Sequence, residues 1–533
     1  MHGRRSAYYI VGEGVCHEPD LLSGGHGCPV GGAPGAPAGA SFRFGRMFPL
    51  PPRRMTSGEW FELSEGLLRL GLCMNDPVKY CKQEPGPPPP LSDIPAGYTY
   101  LGQFIAHEIT FDNTQGLPNV EPDPENIRSP SLDLDSIYGA GPGDEQSRRF
   151  YEDEAPARLK VSRTARVEDF PLWFEFNNDL HRDQEGKALT GDPRNDENLA
   201  VAQTAVAFIR FHNAVVERLK LSHYDEDDLF ECARKHVVRH FQWIILYDYL
   251  PRIVDAGVLD CVLKHGPKWF EVGCKEGLFM PLEFSAAAFR LGHSMVRQDY
   301  EWNTYHSTER ADKKPAQLKE LFEQTARNGF IGKAGHPPVL PSEWVIDWRR
   351  FYQFPQYQTG TNYPPAQTGV NMAARIDTLF DMRLDEVPFD HENLPPEKRA
   401  ITVRNLLRGF ALGLPTGEEV AGCIGETPLR HEEVARGPHR GVLSTRAFKG
   451  KTPLWYYILK EAELNGGSRL GPVGSRIVAE TFVGLIKNSC YSILNEPRWY
   501  PKYTRRDPGT ASARFEMADL IDFAGGVNPV AKM

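Results

Sequence analysis

The chain has 533 residues, a formal net charge of −9, a pI near 6.0, and 41% hydrophobic and 11% aromatic residues. The acidic balance excludes a nucleic-acid binder that works through bulk positive charge, and the apolar content is enough for a large core. Length alone suggests three or four domains, although single helical enzymes reach this size, and the lack of any run of 18 apolar residues predicts no transmembrane segment.

Residues 1–42 are rich in Gly, Pro, Ser and Ala and read as a flexible arm. The arm carries Cys16, His17, His26 and Cys28, whose spacing fits no common zinc pattern. The stretch VGEGVCHEPDLLSGG is too polar for a secretory signal. Nine cysteines, an odd number without C-x-x-C spacing, favour reduced thiols and a cytoplasmic rather than a secreted protein, with export by a route lacking a cleaved signal left open.

The first predicted helix spans residues 57–74, capped by Ser57, with Trp60, Phe61, Leu63, Leu67, Leu68 and Leu70 on its apolar side. A stiff PGPPPP connector follows at 85–90. The stretch YTYLGQFIAHEITFD, from Tyr98 to Asp112, then places Gln103 and His107 four residues apart on one helix face. Two such polar groups inside an apolar helix need partners; a core histidine bonded to a backbone carbonyl satisfies that need, and so does a ligand. In SPSLDLDSIYG, Ser129, Ser131, Asp133 and Asp135 alternate, so an extended loop projects them the same way. Their oxygens suit a hard cation such as calcium, or else form the solvated acidic face of a strand end.

A helix is predicted to start at Pro193, with Asp196 and Glu197 at its positive end, and Arg194 and Glu197 lie at i and i+3. Another amphipathic helix covers 225–250 and stops at Pro251. In FSAAAFRLGHSMVRQDY, Arg290 and His293 share a face in an apolar setting. ITVRNLLRGFALGLPTGEEVA reads as a helix burying Ile401, Val403, Leu406, Leu407 and Phe410, with Asn405 inside it. VGSRIVAETFVGLIKNSCYSIL is the last predicted helix, and residues 507–533 read as a loosely packed tail. No internal repeat is evident.

Four of these stretches, in this order, resemble the animal-type haem peroxidase superfamily (the peroxidase–cyclooxygenase superfamily), as a bacterial-like member. GQFIAHE resembles the distal motif GQF-x-D-H-D, R-x-G-H at Arg290 to His293 the proximal motif, and N-x-x-R at Asn405 and Arg408 a third element; Arg194 with Glu197 falls on the distal arginine and glutamate. The likeness runs from about Arg43 to about Tyr503 and implies a mainly α, single-domain helical haem peroxidase fold with very little β-structure, over residues 43–506.

The resemblance implies haem b bound through His293, with Arg290 as the propionate partner, Arg408 as a further haem-binding residue and Asn405 accepting from the imidazole N–H. It makes His107 the general acid–base, Arg194 the charge stabiliser and Gln103 the holder of a distal water or halide. It also implies a Ca2+ site built from Glu108, Ser129, Ser131, Asp133 and Asp135, where Glu108 replaces the usual aspartate. Ala106 replaces a residue that forms one haem ester and Asn198 the methionine of a sulfonium link, so at most one ester remains, through Glu197.

The implied reaction reduces hydrogen peroxide through a compound I intermediate and oxidises a small-molecule reductant, phenolic rather than halide. Two alternatives stand beside it. One is a haem-dependent fatty-acid dioxygenase, against which Arg290 speaks by occupying the place of the cyclooxygenase tyrosine. The other is a haem-binding or adhesive protein with little turnover.

Overall fold

The computed structural model describes residues 42–50, 56–84, 90–111, 125–126, 128–166, 176–222, 226–270, 278–309, 311–354, 366–380, 399–503 and 514–528. The N-terminal arm with its Cys16, His17, His26 and Cys28, and residues 85–89 of the proline connector, lie outside them.

The described residues are mainly helical. In chain order the helices are α1 Ser57–Asn75, α2 Pro77–Cys81, α3 Gly97–Ile109, α4 Asp135–Tyr138, α5 Leu199–Lys220, α6 Glu226–Ile244, α7 Leu250–Ile253, α8 Ala256–His265 and α9 Leu282–Ser285. They continue with α10 Leu318–Glu323, α11 Ile401–Ala411, α12 Gly417–Ile424, α13 His431–Val434, α14 Arg440–Leu443, α15 Leu454–Leu464, α16 Pro472–Lys487 and α17 Met517–Ala524. The strands are short. β1 (Phe42–Gly45) pairs antiparallel with β2 (Glu125–Asn126) and parallel with β5 (Phe279–Pro281), with Arg43 opposite both Glu125 and Phe279. This small sheet ties the start of the domain to the segments that lead into the acidic loop and into His293. Asn126 extends the tie to α3 by accepting from Phe111 N and donating to Ile109 O.

α5 is the central helix. It is long and apolar enough to cross a membrane, yet nearly all of it is buried in the protein. Phe104 of α3 stacks on Phe208 of α5 at 5.0 Å, and Phe241 of α6 packs edge-on against both. This aromatic layer carries the helix of His107 on the core.

The structure corrects several expectations. Thr56, not Ser57, caps α1 through a capping box with Glu59, and Trp60 and Phe61 point to solvent while Leu63, Leu67 and Leu70 are buried. α6 passes through a π-helical turn (Ile245–Tyr249) and on to Ile253, so Pro251 sits in the first turn of α7 rather than stopping the helix. The stretch from Ile401 breaks after Ala411, leaving Leu407 and Phe410 half-buried, and α12 restarts at a Thr416–Glu419 capping box. The tail is not loose over its described residues: α17 packs on α5 and buries Met517, Leu520 and Ile521. Cys73 and Cys81 form a disulfide and Cys490 is disulfide-bonded as well, while Cys232, Cys261 and Cys423 are free thiols. The odd cysteine count had suggested reduced thiols throughout; a bridge joining the end of α1 to α2 removes that argument for a reducing compartment.

Candidate active site

α3 places Gln103 and His107 where the helical spacing put them. His107 is fully buried, and its Nδ1 lies 3.1 Å from Asn195 Oδ1. Its Nε2 has no hydrogen-bond partner among the described residues and stands 3.7 Å from Glu197 Oε2. Burial first, and the Arg194 charge second, push the imidazole down to about 3, so the ring is neutral at any working pH. Gln103 Oε1 accepts from Asn198 Nδ2 at 2.9 Å, and its buried Nε2 has no partner among the described residues.

The predicted helix start at Pro193 is a separate 3-10 turn, Pro193–Asp196, capped by Asp192. A new helix begins only at Leu199, where Asn198 caps α5 by accepting from Val201 N. The break frees the turn to aim its side chains individually. Asn195 and Glu197 reach His107, Asp196 turns back to Arg182, and the fully buried Arg194 is held by Asp192. Arg194 Nη2 donates to Asp192 Oδ2 at 2.7 Å and to His107 O at 2.8 Å, and the guanidinium lies 4.2 Å over the Phe111 ring. Burial opposes ionisation of Asp192, but Arg128 and Arg194 outweigh it and hold the carboxyl below its ordinary value. Arg194 therefore enters the site as half of an ion pair rather than as a bare charge.

On the other side, β5 and α9 lead into a 3-10 segment, Ala288–His293, that packs against α3. In a 3-10 turn i and i+3 eclipse, so Arg290 and His293 share a face as expected. Both meet Asn405 of α11. Arg290 Nη1 donates to Asn405 Oδ1 at 3.1 Å, and Asn405 Nδ2 faces His293 Nδ1 at 2.9 Å. The expected bond from the imidazole to the Asn405 oxygen is thus reversed, because Arg290 has taken that oxygen. Arg408 lies half-buried three residues further along α11. Ser294 Oγ, next to His293, is anchored by donating to Arg375 O at 2.7 Å.

The acidic loop converges, but not by extension. Leu132 and Leu134 take left-handed backbone angles (φ 54° and 62°), and Asp135 already opens α4. Buried Glu108, Asp133 and Asp135 offer oxygens that lie within 4.8 Å of one another. Asp133 Oδ1 and Asp135 Oδ2 lack hydrogen-bond partners among the described residues. Ser129 and Ser131 hydroxyls touch, and Ser131 Oγ donates to Asp133 Oδ2 at 3.5 Å. Glu108 also caps α4, accepting from Asp135 N at 2.9 Å and Ser136 N at 3.2 Å. Burial and the neighbouring carboxylates push Glu108 and Asp135 well up. An all-oxygen, buried trio with free oxygens on Asp133 and Asp135 is a donor set that fits a hard dication.

Sequence reasoning missed Arg128, Asp192 and Asn195, which bind the site together. Arg128 donates to Asp192 and Asp135, linking the acidic loop to Arg194. The one available signal was the D-P-R-N sequence, which is typical of a capped turn. A small open cleft between α1, α11 and α15 is lined by Leu63, Leu67, Asn405, Phe410, Leu414 and Trp455.

Residues 112–333 match the profile of the animal haem peroxidase family, a span that holds Arg194, Glu197, Arg290 and His293. Over this span the chain is similar to animal haem peroxidases. Dual oxidase of Drosophila melanogaster is 29% identical over 205 residues, which are 36% of this chain and 12% of that one. Thyroid peroxidase of Mus musculus is 26% identical over 227 residues, 39% of this chain and 23% of that one. The chain thus spans less than a quarter of the length of these curated relatives. Among solved structures, peroxidase A from Dictyostelium discoideum aligns with a TM-score of 0.53 at 14% identity, covering 86% of this chain and 91% of its own. Oryza sativa fatty acid alpha-dioxygenase aligns with a TM-score of 0.54 at 12% identity, covering 86% and 77%. Both likenesses establish the fold, and the family implies haem.

The residues fit haem on the α3 side, where two buried nitrogens, His107 Nε2 and Gln103 Nε2, lack partners among the described residues. On the other side His293 is half-buried, and the Asn405 amide nitrogen facing its Nδ1 is set against the expected arrangement.

Proposed function

We propose that the chain is a haem-dependent peroxidase that reduces hydrogen peroxide to water while oxidising two equivalents of a small organic donor, phenolic before halide. The observation that carries this reading is His107, a buried neutral imidazole with a partnerless Nε2, one helical turn from the partnerless Gln103 Nε2 and 3.7 Å from Glu197. His293 would hold the iron, with Arg290 and Arg408 toward the propionates. The haem supplies the oxidising chemistry. His107 Nε2 takes the peroxide proton and returns it to the leaving oxygen, help worth about 10²–10⁴-fold. Gln103 Nε2 orients the water or peroxide, and the Arg194–Asp192 pair fixes the local field. Glu197 would form the one haem ester, since Ala106 offers none. Glu108, Asp133, Asp135, Ser129 and Ser131 would hold calcium.

An absorption spectrum before and after one equivalent of hydrogen peroxide tests the reading. A Soret band that shifts and bleaches within a second and recovers on adding a phenol is expected. His107→Ala should keep the band and lose the fast response; an equally fast response in that variant removes His107 from the chemistry, and no Soret band after haem reconstitution removes the whole reading.

The apolar cleft, lined in part by Asn405, the partner of His293, supports a second reading: oxygenation of a fatty acid. Oxygen uptake with unsaturated fatty acid and no added peroxide decides between the two. A peroxidase consumes little.

A further inference from the structure

The motif residues of the distal side do not by themselves say which imidazole nitrogen of His107 is basic, and the peroxidase reading requires it to be the one facing Gln103 and Glu197. We propose that Asn195 is a positioning residue that sets this, by holding His107 in the tautomer with the proton on Nδ1; the proposal rests on the peroxidase reading for its purpose, not for its geometry.

The orientation of an amide is decided by its hydrogen-bond network. Asn195 Nδ2 lies 3.2 Å from Ser136 O. A carbonyl only accepts, so the amide nitrogen must face it and Oδ1 must face His107. That oxygen only accepts in turn, so the ring nitrogen 3.1 Å away must carry the hydrogen. A neutral imidazole then has its lone pair on Nε2, the buried atom without a partner among the described residues.

The anchor is rigid. Ser136 O also accepts from Asp192 N at 2.8 Å and from Thr190 Oγ1 at 3.0 Å. Ser136 N and Asp135 N are tied to the Glu108 carboxylate, and Glu108 follows His107 in the chain. The contacts close a ring from His107 through Asn195 and Ser136 to Glu108 and back. Asn195 is fully buried, so no water competes for its oxygen. Imidazole in water prefers the opposite tautomer, with the proton on Nε2. Without Asn195 the lone pair would therefore turn toward α4, away from Gln103 and Glu197. A purely structural role, in which Asn195 only satisfies Ser136 O, would leave the ring tautomer indifferent to what replaces its Oδ1.

The test follows His107 in the full chain labelled with ¹⁵N-histidine and free of haem, with His107→Ala identifying the signal. Long-range ¹H–¹⁵N correlation spectra are expected to show the Nδ1–H tautomer in the wild type and in Asn195→Asp, whose carboxylate still accepts, and the Nε2–H tautomer in Asn195→Leu. In the haem-loaded protein the reaction with hydrogen peroxide should slow by about 10–100-fold in Asn195→Leu and recover in Asn195→Asp. An Nε2–H signal in the wild type overturns the proposal, a result that needs no variant to fold. An unchanged tautomer in Asn195→Leu overturns it as well. The expected tautomers together with no response to peroxide would support the positioning role and remove the peroxidase reading instead.

Discussion

The Asn405 side chain has one oxygen and two neighbours that would use it. Arg290 holds that oxygen at 3.1 Å, so the amide nitrogen is left against His293 Nδ1. An imidazole bound to a metal through Nε2 carries its proton on Nδ1 and needs an acceptor there. A carboxylate at position 405 could accept from both neighbours at once. Asn405→Asp should therefore make His293 a stronger electron donor and move the haem reduction potential to a more negative value, measured by spectroelectrochemical titration. A potential that stays put or rises would mean that residue 405 does not govern the ring. At this scale the sequence was legible where a motif is local. Gln103 and His107 are one turn apart, and Arg290 and His293 one 3-10 turn apart. Asn195 and Asp192 were not legible, because what makes them matter is contact with residues remote in the chain, and a short turn of polar residues advertises only itself.

Two elements make predictions that separate burial from charge. Glu461 of α15 accepts from Val473 N in the first turn of α16 at 3.0 Å. Burial nonetheless pushes its carboxyl up to about 7, because a helix N-terminus returns roughly 0.3–1 kcal/mol and desolvation costs more. A carboxyl raised on folding contributes nothing below its unfolded value near 4.5, and its cost in stability grows between 4.5 and about 7 and is level above that. Glu461→Gln should thus leave stability unchanged at pH 4 and raise it by about 1–2 kcal/mol at pH 8, read from urea unfolding at the two pH values. An equal effect at both would assign the change to packing. The acidic loop is the second case. Three buried carboxyls, two of them with an unsatisfied oxygen, gain from any dication they hold, and a ligand at 100 times its Kd adds about 2.7 kcal/mol. Calcium should raise the Tm by several degrees over chelator-treated protein, and Asp133→Asn should abolish most of the difference. Identical melting with calcium and with chelator would show that Arg128 and Arg234 balance the cluster without a cation. The alternation of Ser129, Ser131, Asp133 and Asp135 correctly announced convergence, yet the means were hidden. Two leucines in left-handed conformations do what an extended strand was expected to do, and nothing in leucine's own preferences signals that.

For the molecule as a whole, the sequence pattern showed a large helical core but misjudged how the chain ends. Polar and small residues around 504–513 look like a fraying terminus, and a short helix after them carries too little periodicity to contradict that impression. The structure brings that helix back to the centre. α17 lies on α5, Met517 N donates to Asp248 Oδ2 at 2.8 Å, and the other oxygen of Asp248 accepts from Tyr98 at the start of α3, the helix of His107. Phe515 and Phe523 both pack on Phe211 of α5. Burying Met517, Leu520, Ile521 and Phe515 is worth about 1.5–3 kcal/mol each, a sum comparable with the roughly 5–15 kcal/mol that holds a typical domain together. Ending the chain before Arg514 should therefore abolish soluble, cooperatively folding protein rather than trim a loose end. Leu520→Ala gives the graded form of the same test, with an expected loss of about 2–5 kcal/mol. Haem content should fall in step with stability in both, because α17 holds Asp248, Asp248 holds Tyr98, and Tyr98 opens the helix on which Gln103 and His107 stand. A truncated chain that melts and binds haem like the full one would restore the loose tail and cut this line of support from the chain's end to its active site.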